Sequence, residues 1–125
     1  MAAMMATIKV KRAYEPASKD DGVRILVDRI WPRGASKDEL RIDYWAKDVA
    51  PSNELRKWYG HDAQKWEEFR KRYITELRAN TDGILALTDQ LGPGTATLLH
   101  SSKKHEINNA VALRDFLKPM LRRYR

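Results

Sequence analysis

The segment Val23-Arg24-Ile25-Leu26-Val27-Asp28 constrains the fold more than any other part of the chain. It is an apolar run of strand length rich in β-branched residues, the pattern of a strand covered on both faces inside an α/β sheet. Thr95-Ala96-Thr97-Leu98-Leu99 repeats that pattern late in the chain, with helical sequence between the two. Two buried strands separated by helices predict parallel neighbours joined by a right-handed crossover. Ile8, Val10, Arg12 and Tyr14 alternate with Lys9, Lys11 and Ala13, which predicts a further strand of either direction at the sheet edge. The expected fold is therefore α/β: a small three-layer domain with a short, mainly parallel sheet of about three to four strands flanked by helices.

The helices announce themselves through caps and stops. Ser36 followed by Glu39 is a capping-box pattern and predicts a short helix to about Arg41. Ala50-Pro51 is a break, and Ser52 caps a second helix that ends at Gly60. Asp62 caps a third over residues 63–79, where Trp66, Phe69, Tyr73 and Leu77 fall on one face. Asn80-Thr81-Asp82-Gly83 reads as a turn, and a fourth helix carries Ile84, Leu85, Leu87 and Leu91 before Gly92-Pro93-Gly94 stops it. The last helix is expected from about Glu106, shortened or kinked at Pro119.

At 125 residues the chain fits one domain, 1–125, and is long enough to bury a core without staples. Residues 1–6 read as a disordered start and 119–125 as a basic C-terminal tail. There is no cysteine, which excludes a disulfide scaffold, a zinc ribbon, an iron–sulfur cluster and a cysteine nucleophile. No signal peptide and no membrane span are legible, so a cytoplasmic protein is expected. The net charge is +7, but residues 113–125, with Arg114, Lys118, Arg122, Arg123 and Arg125 against Asp115, hold four of those seven charges. Most of the excess thus sits at the chain end, a weak argument for nucleic-acid binding.

Ligands of open α/β sheets bind beyond the carboxyl ends of the strands. One buried strand delivers Asp28, Arg29, Arg33, Gly34 and Ser36 there, the other His100, Ser101, Ser102 and Lys103. Arginines, a lysine and hydroxyls converging on one edge favour an anion such as phosphate or carboxylate. Arg29, Trp31, Arg33, Ser101, Ser102 and Lys103 are the candidate ligand-binding residues, and Asp28 is a candidate proton-transfer or orienting carboxylate. The bland alternative is that Asp28 and Arg29 only pair within their loop. His61 is a candidate acid–base group, or simply part of the Gly60-His61-Asp62 helix corner. Trp31 reads either as a stacking surface or as the core anchor of its loop, and Trp45, Trp58, Trp66 and Tyr73 as core. His100 and His105 lack metal-ligand spacing, so no metal is expected. Dinucleotide, Walker A and nucleophile-elbow motifs are missing, so no cofactor is expected either.

Several strings together resemble a known family. Lys11-Arg12, the run Asp21 to Gly34 containing Val27-Asp28-Arg29-Ile30-Trp31-Pro32-Arg33-Gly34, Ala50 to Trp58, and Gly60-His61 are similar to the domain-of-unknown-function family 488, in its YeaO-like branch. The resemblance covers about Ile8 to Leu117 and implies a compact bacterial or archaeal α/β domain with no established activity. It also implies a histidine at the position of Ile107, ahead of Asn108 and Asn109. Here that histidine is absent, leaving His105 as the one neighbour able to substitute.

Three functions remain open on the sequence. The first is a binding domain or enzyme for a small anionic ligand at the strand ends. The second is a nucleic-acid-binding or regulatory module using basic surface. The third is a non-catalytic interaction protein or homodimer, whose interface would need exposed apolar residues on the Ile84–Leu91 segment.

Overall fold

The structure, a computed structural model, describes residues 7–122. Residues 1–6 and 123–125, where the sequence predicts a disordered start and the end of a basic tail, lie outside the described residues. Four strands, β1 (Thr7–Arg12), β2 (Val23–Leu26), β3 (Tyr44–Trp45) and β4 (Thr95–His100), form one sheet in the order β1-β4-β2-β3. Every pairing is parallel. The two apolar runs are neighbours as expected, Val23 to Leu26 against Ala96 to Leu99. The first strand, whose direction the sequence left open, runs parallel to β4.

Strand geometry sends successive side chains to opposite faces, and the core divides accordingly. Ile25, Val27, Ala96 and Leu98 join the large cluster built by α2 (Asn53–Tyr59), α3 (Trp66–Arg78), α4 (Thr81–Leu91) and α5 (Asn109–Arg122). Leu26 and Leu99 face a thin second cluster with Ala13, Leu40 of α1 (Lys37–Leu40), Trp31, Ile42 and Trp45. The layers are therefore unequal: four helices cover one face, one helical turn and loops the other.

Local chemistry sets the helix ends. Ser36 and Glu39 form the expected capping box, Ser52 accepts from the Leu55 amide, and Asp62 caps a 3₁₀ turn, Ala63–Lys65, that leads into α3. The helix expected from residue 63 thus begins as that turn and becomes α-helical at Trp66, and two further starts differ from expectation. Asn80 is itself a cap, accepting from the Gly83 amide, so the predicted turn is the first turn of α4. Asn108 accepts from the Val111 amide, so α5 begins at Asn109 and not near Glu106. Pro119 lies inside α5, which continues to Arg122. The expected tail is thus helical over its first four residues.

β3 is the element missing from the sequence reading. Two residues are too short for any period, but Ala46 and Asp43 donate amides to the Leu26 and Arg24 carbonyls and fix the pairing. Arg24 lies within the apolar run and is buried with its charge. Its guanidinium meets the buried Asp21 carboxylate and donates from Nε to the Leu40 carbonyl at 2.8 Å. Lys11 Nζ lies 3.1 Å from the same carboxylate. Gly22 makes this turn possible: its φ is +64°, and a Cβ there would sit 2.0 Å from the Thr95 carbonyl oxygen.

Of the α4 residues expected to supply a dimer face, Ile84, Leu87 and Leu91 are buried within the chain and Leu85 is exposed. The helix spends its apolar stripe on its own core. No helix among the described residues is long and apolar enough to cross a membrane.

Candidate functional site

A cavity of about 660 Å³ opens beyond the carboxyl ends of β1, β2 and β4. All eight sequence-predicted site residues border it: Asp28, Arg29, Trp31 and Arg33 from the loop after β2, His61 from the corner after α2, and Ser101, Ser102 and Lys103 after β4. The parallel sheet is what gathers them, because its strands all end on the same edge.

Asp28 organises this edge. Its Oδ2 accepts from the Ser101 amide at 2.9 Å and the Ser101 hydroxyl at 2.7 Å, and Oδ1 accepts from Asn109 Nδ2 at 3.0 Å. Asn109 also donates to the Val27 carbonyl. One carboxylate therefore ties the end of β2 to the turn after β4 and to the first residue of α5. Its acceptors are engaged by neutral donors, which is the geometry of an orienting group. The Ser101 hydroxyl proton is committed to Asp28 by the same arrangement.

The other predicted residues divide into engaged and available. Arg29 donates to the Pro51 carbonyl at 3.2 Å and the Ala50 carbonyl at 3.1 Å, bracing the start of α2. Trp31 anchors its loop: the indole N–H donates to the Ala35 carbonyl at 2.7 Å, and the ring packs edge-on to Trp45 at 5.4 Å. Of the two readings of Trp31, the anchoring one describes its contacts. Ser102 is buried, and its Oγ accepts from the Lys104 amide. Arg33, Lys103 and His61 are exposed, and their side chains have no hydrogen-bond or ion-pair partner among the described residues. His61 holds a left-handed backbone, φ +60°, at the helix corner.

The histidine that ends β4 and the one in the turn beyond it do not border the cavity. His100 is 1% exposed beneath the strand end, with Nδ1 unpartnered among the described residues. Burial holds its imidazole below the usual histidine value; Asp28 opposes this, and Arg12 and His105 reinforce it. His105 is exposed and, like Ile107, does not border the cavity. The Ile107 backbone is used instead: its carbonyl accepts the Tyr59 hydroxyl at 2.7 Å. Burial, and then Asp62, raises the Tyr59 phenol above its ordinary value, which keeps it a neutral donor. Among the described residues no group of three His, Cys, Asp or Glu is placed to hold a metal.

The structure adds residues that the sequence reading left out. Arg12, at the end of β1, was read as a strand position; its Nε donates to the Ser102 carbonyl at 3.0 Å. Arg56 and Lys57 reach the cavity from α2, and Tyr14 from the end of the first strand's sequence run. The basic residues are visible in Lys11-Arg12 and Arg56-Lys57, but nothing local says that Arg12, Arg56 and Lys57 share one edge while Lys11 turns to Asp21. Six cationic side chains, those of Arg12, Arg29, Arg33, Arg56, Lys57 and Lys103, therefore border one cavity with one carboxylate. Every ion pair among the described residues lies elsewhere, at Lys11, Arg24, Arg70, Arg72 and Arg114.

Comparison with known proteins places this architecture. Residues 7–125 match a family described as the inactive DUF488-N3 subclade. The chain is 41% identical over 113 residues to the uncharacterised protein YeaO of Escherichia coli, covering 90% of this chain and 98% of that protein. It is 40% identical over 110 residues to uncharacterised proteins of Mycobacterium bovis and Mycobacterium tuberculosis, covering 88% of this chain and 92% of each. No solved structure matches. With a family match spanning the whole described chain and relatives aligned nearly end to end, the protein belongs to the DUF488 family, alongside YeaO.

Proposed function

We propose that the protein is a non-catalytic binding domain for a small organic anion, carrying phosphate or carboxylate, held in the cavity at the carboxyl edge of the sheet. The observation that carries this reading is charge imbalance: six cations border the cavity, none of them ion-paired among the described residues, and its one carboxylate accepts three hydrogen bonds from neutral donors. Positive charges left together in a concave site raise the local potential, and an anionic ligand relieves their mutual repulsion. Binding rather than turnover is supported by the description of the matched subclade as inactive, and by Asp28, which is spent on orienting its neighbours. A bacterial cytoplasmic setting accompanies this reading, since the relatives named above are bacterial and phosphorylated metabolites are held inside cells.

Calorimetric titration against a panel of phosphorylated metabolites, nucleotides and carboxylates tests it. Binding that weakens with salt is expected, and Arg33→Ala should weaken it about tenfold or more, the worth of one charge-assisted hydrogen bond. An Arg33→Ala variant that binds every hit as tightly as the parent removes the site. The nucleic-acid reading is checked in parallel by a mobility-shift assay at low salt, where no retardation of duplex or single strand is expected.

A further inference from the structure

Building on the anion-binding reading, we infer that the ligand carries a planar ring beside its phosphate, as a nucleoside monophosphate does, and that Tyr14 is the platform for the ring. Size comes first. A cavity of about 660 Å³ is in the range that encloses whole organic ligands and far exceeds what an inorganic anion fills. The ligand therefore needs a body as well as a charge. The walls supply apolar surface for one: Pro51, Phe69 and Tyr59 line the interior, and Ile30, 56% exposed, stands at the mouth.

Tyr14 is the second observation. It is 43% exposed, one of the few large apolar side chains of the described chain that face out, and it borders the cavity. It is also held still. Its hydroxyl donates to the Arg33 carbonyl at 2.9 Å, and the Arg12 guanidinium lies over the ring, 4.8 Å from its centre. An exposed aromatic ring fixed by two contacts loses little freedom when a second ring stacks on it. One contact is the guanidinium of a cavity arginine, Arg12, and the other is the backbone of a second, Arg33, so the ring sits beside one of the cations that would hold the phosphate. Gly34, at φ +80° with open space at its Cβ position, sets the turn that presents Arg33 to Tyr14.

The test is a titration of the full chain with adenosine monophosphate, ribose 5-phosphate, inorganic phosphate and adenosine at low salt, repeated on Tyr14→Phe and Tyr14→Ala. Adenosine monophosphate is expected to bind about tenfold more tightly than ribose 5-phosphate, the usual worth of one stacked base. That ratio should survive in Tyr14→Phe, which keeps the ring, and fall towards one in Tyr14→Ala. A ratio near one in the parent overturns the ring inference while leaving the anion site standing. A ratio that persists in Tyr14→Ala overturns the role of Tyr14. Adenosine binding as tightly as its monophosphate, or no binding by any phosphate, overturns the phosphate ligand inferred here, and the anion reading falls with it when the carboxylates of the wider panel do not bind either.

Discussion

Two aspartates flank β2 and solve opposite problems. Asp21, just before the strand, is buried against two cations, Lys11 and Arg24. Burial works to raise its carboxyl, but the Ser18 amide and the two cations overcome this and hold it below the ordinary aspartate value. Asp28, just after the strand, bonds only neutral donors, and the cations bordering the same cavity form no ion pair among the described residues. Charge at the first aspartate is neutralised internally, as in a structural cluster. Charge at the second edge is left over, and that surplus is what marks it as a place for a ligand. The same residue type at the two ends of one strand thus serves cohesion at one end and function at the other.

This contrast is open to experiment. The largest effect is expected at the structural end: Asp21→Asn leaves Arg24 buried without a counter-charge and should cost about 3–5 kcal/mol in chemical denaturation. If it costs less than Asp28→Ala, the division of labour is wrong. Asp28→Ala strips acceptors from the Ser101 and Asn109 donors and should cost about 2 kcal/mol, the loss of hydrogen bonds to a charged acceptor. It should weaken ligand binding as well, because the turn carrying Lys103 loses its tether. Arg33→Ala should do the reverse of Asp21→Asn, leaving the unfolding midpoint unchanged while weakening binding about tenfold. A midpoint shift as large as that of Asp28→Ala would make Arg33 structural.

The smallest effect is in the pH dependence of stability. His100 is depressed below its unfolded value of 6.5, so the unfolded chain binds the proton more readily than the folded one. Stability should therefore fall as pH drops below about 6.5, and His100→Leu should flatten that slope in denaturation curves recorded across pH. Asp21 acts in a separate window: its folded value lies below 3.8, so its contribution is present above that value and is lost only at more acid pH. A His100→Leu curve that keeps its slope between pH 6.5 and 5 would place the titrating group elsewhere.

Sequence alone determined the elements whose signals are local. The apolar runs of β2 and β4, the Ser36, Ser52 and Asp62 caps, and the glycine stop after α2 all depend on neighbours within a few residues. The strand-end rule then placed Asp28, Arg29, Arg33 and Lys103 around one cavity. Only the tertiary structure decided the rest. A two-residue strand such as β3 has no period to detect and exists because β2 offers it an edge. Whether Arg24 pairs with Asp21, and whether Arg12, Tyr14, Arg56 and Lys57 meet across the sheet edge, depends on segments far apart in the chain. His100 shows the limit most plainly: the last residue of β4 is buried, and the next one, Ser101, borders the cavity. Local pattern gives the strand, but packing sets where burial ends, because that depends on how far α5 and the β2 loop extend over it.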